Sequence, residues 1–263
     1  MPKPIDALDY LARADKYPVA NVAVLFGDED FLKRLTLGTL KRQVLAGEDA
    51  EFSVATFDGR QTELRDVIDA LATRALFGGG RHLVIVEEAD DFVSRNRPAL
   101  EDYAAHPKGG SVLVLVVKLW PATTRLYKAL ADSGLQIECR FPPPARAIKW
   151  LSHWSLEHHQ ARLEPLAAEL LLESAEADLG LLDQELAKLA SLVGQGGNIT
   201  PTVVAEAVGG WRAKTAWDML DAALAGDSAT ALAQLNRLLI GGEVPIALLA
   251  QIGASLRRLA AAT

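Results

Sequence analysis

Three uninterrupted apolar runs, at residues 22–26, 83–86 and 112–117, set the terms on which this chain can fold. Each is short and has no polar residue to offer a wet face, so each reads as a strand covered on both sides. Helical spacing lies between them. Phe31, Leu35, Leu40 and Val44 share roughly one face of a helix over 30–45, leaving Lys33, Arg34, Lys41 and Arg42 to water, with Asp28 or Asp30 as its cap. Leu64, Val67, Ile68 and Leu71 recur at i, i+3, i+4, i+7. Further strands are predicted over 52–57 and 135–139, and further helices around 98–105 and 124–131. Five strands alternating with helices predict a parallel, doubly wound sheet, because parallel neighbours need crossover helices that then cover both faces.

Phe141-Pro142-Pro143-Pro144 breaks helix and sheet alike and marks a first domain boundary. Beyond it the pattern is helical throughout. Leucines at 166, 170 and 171, and then at 179, 182, 186 and 189, mark two helices, and Thr200-Pro201 opens another as N-cap and first-turn proline. Gly209-Gly210 is the second boundary. Three more helices follow, over 217–224, 232–240 and 245–261. The chain stops inside an apolar helical pattern, so the expectation is either that the last domain is small or that it is cut short.

Half of the 263 residues are hydrophobic, enough for a substantial core. A formal charge of −7 argues against the chain wrapping nucleic acid by itself. Cys139 is the only cysteine, so neither an internal disulfide nor a thiolate cluster for metal can form. The opening ten residues carry acids where a signal peptide needs its apolar core, and the 112–117 run is too short to span a bilayer. No membrane contact is expected, and the expected location is the cytoplasm.

Chemistry is sought first at the turn after the first strand, where a P-loop ATPase keeps G-x-x-x-x-G-K-[ST]. Here it reads Gly27-Asp28-Glu29-Asp30-Phe31-Leu32-Lys33, without a second glycine or a magnesium-binding hydroxyl, and with three carboxylates in the triphosphate's place. Val84-Ile85-Val86-Glu87-Glu88 has the form of a Walker-B strand end, but without a phosphate cradle it reads better as solvated acids. The glycines at 78, 79 and 80 precede a strand, so they make no dinucleotide fingerprint. His153, His158 and His159 lack metal-ligand spacing, and Cys139 reads as a buried thiol. Trp150, Trp154, Trp211 and Trp217 stand at helical spacing, which favours packing over base stacking. No cofactor and no metal are expected. An active ATPase using Glu87 and Glu88 is the rival reading.

That leaves Leu76-Phe77. Phe77 either tucks under the sheet or is presented outward, and the position of the pair, after a helix end and before three glycines, favours an apolar tip held toward a partner.

Five segments carry a resemblance: residues 24–33, V-L-F-G-D-E-D-F-L-K; 75–87, A-L-F-G-G-G-R-H-L-V-I-V-E; 181–189; 199–208; and 242–249. In order and spacing they resemble the delta subunit of the bacterial DNA polymerase III clamp loader. The resemblance implies an α/β then all-α chain: an AAA+-like sheet domain with a degenerate P-loop (1–141), a small helical domain (142–210) and a partial helical collar (211–263). It implies a subunit without a catalytic site, joined to other clamp-loader subunits through the collar and meeting primed DNA only within the assembled complex. It also implies that Leu76 and Phe77, flanked by Arg74 and Ala75, bind the sliding clamp.

Overall fold

In the computed structural model, residues 4–45, 53–72, 82–107, 110–174, 177–207 and 211–240 are described, with 245, 246, 248–250, 252, 253 and 257 beyond them. The first part runs β1 (Ile5–Asp6), α1 (Ala7–Ala12), β2 (Val22–Phe26), α2 (Asp30–Val44), β3 (Val54–Asp58), α3 (Leu64–Ala72), β4 (Leu83–Glu87), α4 (Asp90–Ala105), β5 (Val112–Val117), α5 (Arg125–Ser133) and β6 (Leu135–Glu138). The strands form one sheet in the order β1-β6-β2-β5-β4-β3, and every pairing is parallel. The expected parallel sheet is present.

The apolar runs take the positions their composition demands. β2, β4 and β5 lie side by side in the interior of the sheet and are buried along almost their whole length, while β3, with Thr56 between Ala55 and Phe57, forms a half-buried edge. Side chains alternate across a strand, so Val24, Val84, Val86, Leu113 and Leu115 face one way. There they pack with Val67 and Leu71 of α3, Phe92 of α4, and Leu126 and Leu130 of α5. Leu25, Ile85 and Val114, pointing to the opposite face, are equally inaccessible.

Four elements differ from the sequence reading. The sheet has a sixth strand, β1, of only two residues; it ends in Asp6, whose Oδ1 accepts the Leu8 and Asp9 amides and so starts α1 at once. The cap of α2 is Glu29, not Asp28 or Asp30, because its carboxylate reaches the Phe31 amide at 3.1 Å. Helix α4 begins at Asp90, well ahead of Pro98; Asn96 leaves helical dihedrals (φ −111°, ψ 15°), and this kink accommodates the proline. The helical part also contains a short parallel pair, β7 (Arg162–Leu163) with β8 (Asn198–Ile199).

That part comprises α6 (Pro144–His159), β7, α7 (Pro165–Ser174), α8 (Leu179–Val193), β8, α9 (Pro201–Ala207), α10 (Trp211–Leu224) and α11 (Ser228–Ile240). The chain divides into two compact units, Met1–Phe141 and Pro142–Thr263. In the second, Leu151, Leu171, Leu182, Leu186, Leu189 and Ile199 are fully buried. The Gly209-Gly210 boundary and most of the helix read over 245–261 lie outside the described residues.

Asp183 fastens α6 to α8: its Oδ1 accepts Trp154 Nε1 at 2.6 Å and lies 2.7 Å from His159 Nε2. Replacing Asp183 by Ala is expected to lower stability by about 1–3 kcal/mol, since two donors lose one acceptor together. Thermal melting followed by circular dichroism checks this, and an unchanged midpoint would mean the two contacts contribute nothing net.

Candidate functional site

The turn after β2 is where a nucleotide would bind, and its backbone is held from two sides. Gly27 has φ +125°, and its amide donates to Lys118 O at 3.3 Å. Cys139, just past β6, donates its amide to Phe26 O at 2.6 Å and accepts the Glu29 amide at 3.1 Å. The end of β6 is thereby stitched across the turn.

The N-terminus of α2 should attract an anion, by its exposed amides and its dipole. It has one already. Glu29 is 4% exposed, and its carboxylate caps the Phe31 amide. Lys33 stands six residues after Gly27, where the P-loop pattern has its phosphate-binding lysine. Its side chain is only 7% exposed, and its ammonium is held 3.1 Å from Asp30 Oδ1. The sequence showed the missing glycine and hydroxyl; that Glu29 and Asp30 engage the groups a phosphate would need is a finding of the structure. Its signal in the sequence was the run of three acids itself.

Glu87 and Glu88 close β4 and are exposed. Glu88 has φ 47°, unusual for a residue with a side chain, and the Glu87 carbonyl accepts the Gly59 amide at 2.7 Å. Beside them Arg60 grips the Asp58 carboxylate through Nε and Nη2, and these hydrogen bonds hold Asp58 below the usual carboxylate range. Among the described residues no group of three His, Cys, Asp or Glu side chains is gathered to hold a metal ion.

The histidines are occupied separately. His153 pairs with Glu157 at 3.2 Å, His158 stacks on Trp154 with ring centroids 3.5 Å apart, and His159 meets Asp183. Trp150 and Trp154 stack on each other at 4.9 Å. Cys139 is fully buried, and burial pushes its thiol up to about 12, so no thiolate is available near neutrality. Trp120 is a core residue whose Nε1 donates to Gln136 Oε1 at 2.6 Å. No described helix is long and apolar enough to cross a membrane.

Arg74, Ala75, Leu76 and Phe77, with the glycines at 78–80, lie outside the described residues. The positions before and after them are firmly built. Leu71 is buried and its carbonyl accepts Ser111 Oγ at 2.8 Å; Leu83 is fully buried and its amide donates to Ser53 O at 2.8 Å.

Comparison with known proteins follows these lines. The family model described as "DNA polymerase III, delta subunit" matches residues 24–140. The DNA polymerase III subunit delta of Bacillus subtilis is 26% identical over 205 residues, covering 74% of this chain and 58% of the relative. That of Escherichia coli is 31% identical over 123 residues, covering 47% of this chain and 35% of the relative. The chain therefore spans little more than half the length of the first of these relatives and about a third of the second. At the level of the fold, the solved DNA clamp loader delta protein of Bacillus subtilis superposes with a TM-score of 0.61 at 24% identity, over 95% of this chain and 76% of that one. By family model and by sequence the chain is similar to the delta subunits of bacterial DNA polymerase III, and its fold is similar to that of the Bacillus subtilis clamp loader delta protein.

Proposed function

We propose that this chain is a non-catalytic clamp-loader subunit that binds the sliding clamp and holds one of its interfaces open, so that primed DNA can enter. Leu76 and Phe77 enter an apolar pocket of the clamp, with Arg74 and Ala75 beside them. ATP is bound by other subunits of the loader, which join this one through a helical collar in a cytoplasmic hetero-oligomer. In this reading residues 1–141 carry the tip, 142–210 form a small helical domain and 211–263 belong to the collar.

The observation that carries the non-catalytic half is the self-occupied turn after β2, where Glu29 caps the helix and Asp30 holds Lys33. A triphosphate arriving there would meet carboxylates and an engaged lysine. Equilibrium dialysis of the chain against labelled ATP and magnesium is expected to give no saturable binding. Stoichiometric binding would instead establish the rival reading, an active AAA+ ATPase using Glu87 and Glu88. The clamp-binding half is tested by surface plasmon resonance against the organism's own sliding clamp, where no binding by the chain would sink it.

A further inference from the structure

Acids outnumber cations along this chain, yet from Phe31 to Gly47 the sequence holds Lys33, Arg34, Lys41 and Arg42 and no carboxylate. Helix α2 sorts these four by face. Lys33 is buried and engaged by Asp30, whereas Arg34 and Arg42 are exposed and Lys41 is half-buried. Residues four apart lie one above the other on a helix, so Arg34, Gly38 and Arg42 form one row along its outer side, with Lys41 beside it. The two arginines stand about 12 Å apart along the axis. Among the described residues no carboxylate pairs with Arg34, Lys41 or Arg42. Arg34 lies over the Phe31 ring at 5.5 Å, and Arg42 Nη2 donates to Thr39 Oγ1 at 3.1 Å.

Gly38 adds a second, independent observation. It is exposed at the middle of this row, and nothing lies within 4 Å of the Cβ it lacks. Glycine is a poor helix former, so neither packing nor helix formation inside this chain accounts for it. What its bare backbone does provide is room for an outside group to close against the helix between two guanidinium groups. The neighbouring elements add little negative charge: Asp9 of α1 is paired with Arg13, and Asp15 in the turn after α1 has Lys16 next to it in the chain. Glu48, Asp49 and Glu51 follow α2 in the sequence and lie outside the described residues.

We infer that the outer face of α2 is a contact for the phosphate backbone of DNA, with Arg34 and Arg42 on phosphates of one strand and Gly38 letting that strand come close to the helix. One strand of a duplex carries a phosphate roughly every 3.4 Å of axis, so a row of about 12 Å faces three or four of them. The planar guanidinium fork suits phosphate oxygens. A lone phosphate would engage only one end of the row, because Arg34 is turned to Phe31 and Arg42 to Thr39. A membrane surface fits poorly, since α2 exposes no large apolar side chain to enter the acyl boundary. The net charge of −7 keeps the contact weak and confines it to this face. It positions the duplex and reads no sequence. The choice of DNA among polyanions rests on the clamp-loader reading, while the surface itself is separate from Leu76-Phe77.

The test is fluorescence anisotropy of a fluorescein-labelled primed template titrated with the 263-residue chain at salt concentrations from about 20 to 200 mM. Binding should appear at the lowest salt and weaken steeply as salt rises. Arg34→Ala with Arg42→Ala should lessen the slope of log K against log salt by about two while leaving the melting temperature unchanged. Arg34→Lys with Arg42→Lys should retain the slope. Gly38→Gln keeps the charge and favours the helix, so it should raise the melting temperature yet weaken DNA binding by about fivefold or more. A glycine needed only for the fold would lower the melt instead. The inference is overturned if the unaltered chain does not bind at the lowest salt, if the alanine pair leaves the slope unchanged, or if that pair instead removes binding to the sliding clamp or to phosphatidylglycerol vesicles. DNA binding that fails while clamp capture persists sinks this surface and leaves the clamp reading standing; clamp capture that fails while DNA binding persists does the reverse.

Discussion

Replacing Leu76 and Phe77 together by Ala is expected to abolish capture of the sliding clamp while leaving the protein folded. Each anchor, if centrally buried in the clamp's pocket, is worth about 2 kcal/mol or more. Losing both weakens the complex by about a thousandfold. Asp at either position should act more strongly still, since it would carry a charge into an apolar pocket. The fold should not notice, because the neighbouring Leu71 and Leu83 are held by buried contacts and by their own backbone hydrogen bonds. Surface plasmon resonance and a thermal melt on the same variant separate the two effects. Unchanged clamp affinity would end the central claim, and a collapsed melt would show that the pair is structural.

The second large effect is expected at Gly27, where Ala should unfold the first unit or lower its melting temperature by about ten degrees or more. A Cβ there would lie 2.0 Å from Cys139 O and 2.7 Å from Cys139 C, both backbone atoms, on a residue whose φ is +125°. Nothing flexible is available to yield. The turn is bonded to Lys118 and Cys139 at once, so relief would have to separate β2 from its neighbours, a loss of about 4 kcal/mol or more. Gly38 makes the internal control: it lies within α2 with nothing inside 4 Å of its missing Cβ, and Ala there should stabilise by up to about 1 kcal/mol. Similar melts for the two variants would refute the steric account.

The sheet was legible wherever burial is written continuously into the sequence, as in β2, β4 and β5. It was not legible where a strand is defined by its neighbour. Ile5–Asp6 and Arg162–Leu163 are strands only because Ile137 and Ile199 come alongside, and two residues carry no period of their own. Proline misled the reading of α4: Pro98 suggested a first turn, whereas Asn96 bends the chain and its side-chain amide bonds Phe92 O at 2.9 Å. At the site, residue types showed that a phosphate cradle was missing. Which carboxylate capped the helix depended on reach, and Glu is one methylene longer than the Asp residues beside it. For Leu76-Phe77, outside the described residues, the sequence offers a position between a helical pattern and three glycines, and only resemblance supplies a partner.

The pairing of β1 with β6 makes the first unit a closed circuit, in which Ile5 sits beside Ile137 and Asp6 beside Glu138. On a ribosome the opening strand emerges first, yet it has no seat until the last strand of the unit has been made. Folding of this unit is therefore completed by its final segment, and contacts so distant along the chain make for slow closure.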